Sequence, residues 1–256
     1  MPEISLTNDF AMACDPVLIA RAVGIEPDAK QAELLRSTSR RVLLNCCRQW
    51  GKTTLCAAIA THEAIYNAPA MIILVSPSQQ QSGELFKKVA EFWKSLPGAP
   101  EAEQESMTRL KLANGSRIVS LPGSERTTRG FSGATLVIMD EAARCDDELL
   151  ASVMPMLAVT SGRFIALSTP KGRRGWFYET WMHGGDTWQR VSVPATECPR
   201  ISAEFLEEQR RILGTTVFEQ EYSCAFHDDN SSAFSSALIE QALVSDFAPF
   251  FLEEAA

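Results

Sequence analysis

The sequence lacks the features that direct a chain into or across a membrane. It contains no run of about eighteen apolar residues that would span a bilayer, and no basic stretch followed by an apolar one near its start. Its seven cysteines are an odd number without the spacing of a zinc site. We therefore expect neither a membrane span nor a secretion signal, and we expect reduced thiols, as in a cytosolic protein.

Positive charge is also scarce. Lysine and arginine total 24 against 32 acidic residues, which gives a net charge of −8 and an isoelectric point near 5.1. This balance argues against a broad nucleic-acid-binding face, so any DNA contact is expected to be local or to need a partner. With 256 residues, 45% of them hydrophobic, the chain suits one large domain or two small ones.

Short apolar runs alternate with helix-forming segments and predict the fold. The runs Arg41–Asn45, Met71–Ser76, Leu136–Met139 and Arg163–Leu167 predict strands that are buried on both faces, as in a parallel sheet. Asn114-Gly115, between two alternating runs, predicts an antiparallel hairpin. We therefore predict an α/β fold in which helices flank a mostly parallel central sheet, with the hairpin as an addition.

Other stretches carry weaker signals. Residues 1–14 show no clear period and are expected to be loosely ordered, and residues 97–106 are expected to be a polar connector. A charged amphipathic helix is expected from Ser202 to Leu213. Residues 228–256 are expected to be a linker or tail, so the predicted folded unit covers residues 1–227.

One segment joins the first predicted strand to a helix and fits a phosphate-binding loop: Cys46-Cys47-Arg48-Gln49-Trp50-Gly51-Lys52-Thr53-Thr54. Unpaired N–H groups at the N-terminus of a helix attract an anion, and Gly51 allows close approach. Lys52 would bind the β- and γ-phosphates, and the Thr53 hydroxyl would ligate Mg²⁺. The usual first glycine is missing, since position 46 holds cysteine, so this motif alone does not decide the function.

Two further motifs end predicted strands. Asp140 would hold Mg²⁺, and Glu141 would orient or deprotonate an attacking water. Ser168-Thr169-Pro170 would sense the γ-phosphate. Taken alone, the acidic pair also fits a helix cap and the triplet also fits a plain turn. Ligands of parallel sheets bind at the carboxyl ends of the strands, so the convergence of the three motifs there favours a hydrolase site.

Together these motifs resemble the large terminase subunit of tailed bacteriophages, which packages viral DNA into procapsids. The resemblance rests on Arg48-Gln49-x-Gly51-Lys52-Thr53, on Arg129-Gly130 ahead of Leu136–Ala143, and on Leu167–Gly172. It implies a P-loop NTPase fold of the additional-strand, catalytic-glutamate type, with ATP and Mg²⁺ as cofactors. It also implies ATP hydrolysis that drives double-stranded DNA translocation. The loop of this family often lacks the first glycine.

The resemblance implies a role for each matching residue. Gln31 would recognise adenine, and Arg129 would be an arginine finger that completes the site of a neighbouring subunit, with Arg126 and Arg144 as rivals. The full implied set is Gln31, Cys47, Arg48, Gln49, Trp50, Gly51, Lys52, Thr53 and Thr54 for the nucleotide; Thr53 and Asp140 for the metal; Lys52, Glu141 and Arg129 for catalysis; and Ser168, Thr169 and Pro170 for coupling.

The resemblance also implies partners and a location. The expected partners are double-stranded DNA, a portal protein, a small terminase subunit and further copies in a ring, with a monomer as the alternative for the isolated chain. The expected place is the host cytoplasm, at the procapsid portal. The family's C-terminal nuclease domain is expected to be absent, so DNA cleavage is not predicted. Two alternatives remain: a different P-loop translocase of helicase type, and a nucleotide-binding module without hydrolysis.

Overall fold

The computed structural model describes residues 5–123, 130–228 and 242 of the chain. The strands in these residues are β1 (Arg41–Cys46), β2 (Met71–Ser76), β3 (Ala102–Glu105), β4 (Arg109–Leu112), β5 (Arg117–Pro122), β6 (Leu136–Asp140), β7 (Arg163–Ser168) and β8 (Gln189–Val193). The helices are α1 (Leu6–Cys14), α2 (Val17–Ala22), α3 (Ala29–Arg36), α4 (Lys52–Tyr66), α5 (Gln79–Ser95), α6 (Asp147–Val153), α7 (Gly175–His183) and α8 (Ala203–Tyr222). Short 3₁₀ turns cover Ala142–Arg144, Met154–Leu157 and Ala195–Glu197. None of the described helices combines the length and the apolar character needed to cross a lipid bilayer.

The eight described strands form one sheet in the order β3-β4-β5-β2-β6-β7-β1-β8. Strands β2, β5, β6, β7, β1 and β8 pair in parallel, whereas β4 pairs antiparallel with both β3 and β5. The predicted α/β fold, with its mostly parallel sheet and its added hairpin, is therefore confirmed. In such a sheet the carboxyl ends of all the parallel strands lie along one edge, which is where the candidate motifs are found.

Two hydrophobic layers cover the two faces of the sheet. Because successive side chains of a strand point to opposite faces, Leu44 and Ile72 pack in the layer that contains α4 and α5, while Leu43 and Ile73 pack in the other. The second layer is completed by Trp176 and other residues of the segments after β6 and β7. This double covering explains why the central strands are continuous apolar runs instead of alternating ones.

The expectation of a loosely ordered N-terminus was wrong for the described residues, because Leu6–Cys14 forms α1. The Ser5 side chain caps this helix by accepting a hydrogen bond from the Asn8 N–H at 3.3 Å. Only Met12 of the helix is buried, while Leu6 and Phe10 are 84% and 71% exposed. The apolar residues therefore do not mark the buried face, and the helical period was not visible in the sequence.

Two other expectations also need correction. The connector at residues 97–106 contains the edge strand β3, whose four residues are all exposed and which is held by backbone pairing with β4. Without a buried face it has no apolar alternation to detect. Helix α8 does not end at Leu213 but reaches Tyr222 across a kink at Gly214, where φ is 72° and ψ is 167°. The tail at residues 229–256 lies outside the described residues apart from position 242.

Two glycines give opposite predictions for the same substitution. A Cβ at Gly162 would lie 2.3 Å from the Ala134 carbonyl oxygen and 2.8 Å from that of Thr135, so backbone would have to move. Gly83 lies inside α5 with no atom within 4 Å of such a Cβ. We expect Gly162→Ala to lower the free energy of unfolding by about 1–3 kcal/mol. Gly83→Ala should raise it by about 0.5–1 kcal/mol, because alanine is the better helix former. Urea denaturation measures both, and equal effects would contradict the packing described at Gly162.

Candidate active site

The sheet order brings the three sequence motifs together. Strands β6, β7 and β1 are direct neighbours, with Asp140 opposite Leu167 and Ser168 opposite Asn45 in the register. The loop after β1, the pair Asp140-Glu141 and the triplet after Leu167 therefore lie side by side at one edge. The predicted convergence of these motifs is seen in the structure.

The loop between β1 and α4 has the backbone of a turn that opens a helix. Gln49 and Gly51 adopt left-handed conformations, with φ of 63° and 95°, and α4 begins at Lys52. The Lys52 ammonium donates a hydrogen bond to the Cys47 carbonyl at 3.0 Å, so its side chain folds over the loop. Beside it lies a cleft of about 440 Å³ that is lined by Arg48, Gln49, Gly51, Lys52, Thr53, Thr54, Gln81, Glu141 and Arg144.

Two residues that were predicted to bind nucleotide point into the protein instead of the cleft. The side chains of Cys47 and Trp50 are fully buried. The Trp50 indole N–H donates to Asp28 Oδ2 at 3.1 Å, and burial raises the pKa of the Cys47 thiol to about 12, so the thiol stays neutral. Any contribution of these two residues to a ligand is therefore limited to their backbone atoms.

Gln31 contacts the loop through its side chain. Its Oε1 accepts a hydrogen bond from the Asp28 N–H at 3.1 Å, which completes the capping box of α3. Its Nε2 donates to the Trp50 carbonyl at 2.8 Å. Both polar atoms of the amide are thus engaged inside the chain, and the predicted adenine contact stays a prediction.

Asp140 and Thr53 offer oxygen atoms that suit Mg²⁺. Asp140 is buried at the end of β6 and its Oδ1 accepts from the Glu141 N–H at 2.9 Å. Burial and the nearby Glu141 raise the pKa of Asp140 to about 6, which a neighbouring cation would counteract. The described residues contain no group of three His, Cys, Asp or Glu side chains that could hold a metal. A magnesium ion here would therefore take its other ligands from phosphates and water, as Mg²⁺ usually does.

Arg144 joins the predicted catalytic glutamate to the predicted coupling motif. Glu141 has a left-handed backbone, with φ of 52°, and its Oε2 accepts from Arg144 Nη1 at 2.6 Å. The same nitrogen donates to Thr169 Oγ1 at 3.1 Å. The neighbouring Ser168 hydroxyl is buried and has no hydrogen-bond partner among the described residues. Arg144 therefore acts on Glu141 of its own chain, whereas Arg126 and Arg129 lie outside the described residues.

A buried carboxylate that the sequence analysis missed holds the other arginine of the cleft. Glu221, near the end of α8, accepts from Arg48 Nε at 2.6 Å, and its second oxygen lies 3.5 Å from Arg144 Nη2. The Arg48 N–H also donates to the Glu221 carbonyl at 3.1 Å. The available signal was the position of Glu221 between Phe218 and Tyr222, both buried, which places it on the inner face of the helix. Gln81, at the start of α5, was also missed because no motif marks it.

Removing the charge of Glu221 should weaken the fold measurably. Glu221 is 9% exposed and is shared by two arginines, so Glu221→Gln breaks a partly buried ionic network. We expect the free energy of unfolding to fall by about 1–3 kcal/mol. The matched control is Glu208→Gln, which changes an exposed residue of the same helix and should alter stability by less than about 0.5 kcal/mol. Equal losses in urea denaturation would show that the network contributes nothing specific.

Known proteins resemble this chain in sequence and in structure. The family model of the N-terminal part of the terminase large subunit, T4-like-virus type, matches residues 43–241. The large terminase subunit of Thermus virus P23-45 is 26% identical over an alignment of 249 residues, which covers 83% of this chain and 51% of that protein. This chain thus spans about half the length of the curated relatives that it matches.

Solved structures give the same fold. The ATPase domain of the large terminase of Thermus phage P74-26 has a TM-score of 0.70 and 23% identity, with 81% of this chain and 96% of that domain covered. The large terminase of a thermophilic bacteriophage, solved in complex with ADP, has a TM-score of 0.59 and 10% identity, with 73% of this chain and 48% of that protein covered.

The family model covers most of the chain and includes the phosphate loop from β1 onward, the carboxylate pair and the triplet after β7. These elements are also the ones that meet at the cleft, on a fold shared with terminase ATPase domains. The chain therefore belongs to the terminase large subunit family.

Proposed function

We propose that this chain is the ATPase motor of a viral DNA-packaging terminase, which hydrolyses ATP with Mg²⁺ to drive double-stranded DNA into a procapsid. The observation that carries the proposal is the cleft in which Lys52 and Thr53 face Glu141, with Asp140 adjacent. The ADP bound to the terminase of the thermophilic bacteriophage supports nucleotide binding in a protein of the same fold.

The residues of the cleft divide the work of phosphoryl transfer among them. Lys52 and the N–H groups of the loop would hold the phosphates, and Thr53 and Asp140 would hold Mg²⁺. The ion would neutralise charge on the phosphate oxygens. Glu141 would orient the attacking water and accept its proton, and Arg144 fixes the position of this carboxylate. Such catalysis needs mostly positioning and charge stabilisation.

The assembly around the motor is part of the proposal. The partners would be DNA, a portal protein, a small terminase subunit and neighbouring copies in a ring, in the host cytoplasm at the portal. Arg129 of one copy would complete the site of the next, and a finger of this kind is worth about 10³–10⁵ in rate. The isolated chain should therefore be a slow ATPase. Residues 1–227 would form the ATPase unit, and DNA cleavage is not proposed for this chain.

Two substitutions separate binding from hydrolysis. Lys52→Ala should abolish ATP binding, because it removes the charge at the phosphates. Glu141→Gln should keep binding and lower turnover by about 10²–10⁴, the usual contribution of a general base. Calorimetry measures the first and phosphate release measures the second. The matched control is Glu148→Gln, an exposed carboxylate on α6, which should behave as wild type. Normal turnover in Glu141→Gln would remove its assigned role.

A third experiment tests which arginine acts between copies. Turnover per chain should rise with protein concentration in the wild type, and Arg129→Ala should lose this rise. Arg144→Ala should lower turnover at every concentration, because Arg144 contacts Glu141 of its own chain. Flat turnover in both the wild type and Arg129→Ala would mean a self-contained site. Binding without any turnover would favour a nucleotide-binding module.

A further inference from the structure

The carbonyl of Trp50, just before the glycine of the phosphate loop, is held by two side chains. Gln31 Nε2 donates to it at 2.8 Å, and Arg200 Nη2 donates to it at 2.6 Å. Gln31 belongs to α3, and Arg200 lies in the turn that precedes α8. No motif in the sequence assigns a role to Arg200.

Asp28 closes this arrangement into a network. Its Oδ2 accepts from the Trp50 indole N–H at 3.1 Å and from Arg200 Nη2 at 3.2 Å, while its Oδ1 accepts from the Gln31 N–H at 2.9 Å. Asp28 thereby fixes both residues that hold the Trp50 carbonyl. It also fixes the indole of Trp50 itself, so the residue is held through its side chain and through its backbone.

A trans peptide bond directs its C=O and its N–H to opposite sides. Because the Trp50 carbonyl points to Gln31 and Arg200, the Gly51 N–H points away from them, toward the side on which Gly51 lines the cleft. We propose that Arg200 is a positioning residue that, together with Gln31, orients the Trp50–Gly51 peptide so that its N–H faces the phosphates. The proposal rests on the nucleotide-binding role proposed above for this cleft.

The packing at Gly51 supports this orientation. With φ of 95°, a Cβ at Gly51 would lie 3.0 Å from Gln31 Nε2 and 4.0 Å from Arg200 Nη2. The two donors thus occupy the space that a side chain at this position would need. A larger residue would push them away from the Trp50 carbonyl, so glycine at position 51 and the two donors depend on each other.

Arg200 is held in place by the backbone around it. The Ile201 N–H donates to the carbonyl of the buried Cys198 at 3.1 Å, and Ser202 caps α8. The Arg200 side chain is 45% exposed, so its ion pair with Asp28 contributes little to global stability. Its loss should therefore be seen mainly in ligand binding and in the local order of the loop.

The contact is made to the loop backbone, so it concerns the phosphate chain and not the base. Ligands that share a triphosphate should be affected alike, whether they carry adenine, guanine or no nucleoside at all. Inorganic tripolyphosphate is the probe that isolates this effect, because it offers no base and no ribose to Arg200.

The experiment measures the dissociation constants of ATP and of tripolyphosphate, each with Mg²⁺, by calorimetry on the full chain. Arg200→Ala should weaken both by the same factor, about tenfold. Arg200→Lys keeps a donor and should recover part of the loss. The matched control is Arg211→Ala, an exposed arginine of α8 paired only with Glu207 among the described contacts, which should bind like the wild type. Thermal unfolding should be nearly the same for all variants.

A second measurement needs no ligand. Hydrogen exchange of the peptide that contains residues 46–52 should be faster in Arg200→Ala than in the wild type and unchanged in Arg211→Ala. Weaker ATP binding with unchanged tripolyphosphate binding would overturn the proposal, because Arg200 would then contact the nucleoside directly. Unchanged binding and exchange would overturn it as well. A wild type that binds both ligands but does not hydrolyse ATP would instead refute the proposed function alone.

Discussion

The loop between β1 and α4 keeps its conformation because its backbone polar groups are hydrogen-bonded to distant parts of the chain. The Cys47 N–H donates to Val193, the Arg48 N–H donates to Glu221, and the Trp50 carbonyl accepts from Gln31 and Arg200. A loop with two left-handed residues is not stable by itself, so these contacts determine where its N–H groups point. The rest of the fold serves to bring their partners to this edge of the sheet.

The charges of the cleft are paired in the same way, across elements and not within them. Arg48 pairs with Glu221 of α8, and Arg144 pairs with Glu141 and approaches Glu221. Charges in a partly buried site are costly unless they are compensated, so this pairing lets several carboxylates and arginines share one cleft. Helix α8 and the turn before it thereby contact the phosphate loop from both ends of the helix, through Arg200 and through Glu221.

Local signals in the sequence predicted much of this structure. The apolar runs identified the central strands, and the start of α4 at Lys52 followed from the loop motif. The resemblance to terminases supplied the type of fold and is supported by the family match. Elements without a buried apolar pattern, such as α1 and β3, could not be detected in this way. Residues that act through long-range contacts were missed too, since Arg200 and Trp50 are 150 positions apart and no motif contains both.

The most direct test of the whole account is a crystal structure of this chain with Mg²⁺ and a slowly hydrolysed ATP analogue. The account predicts that the terminal phosphates lie on the N–H groups of the loop against Lys52, that Mg²⁺ lies between Thr53 and Asp140, and that the Trp50 carbonyl still points to Gln31 and Arg200. A nucleotide bound elsewhere, or a Trp50–Gly51 peptide turned over with its N–H away from the phosphates, would contradict it.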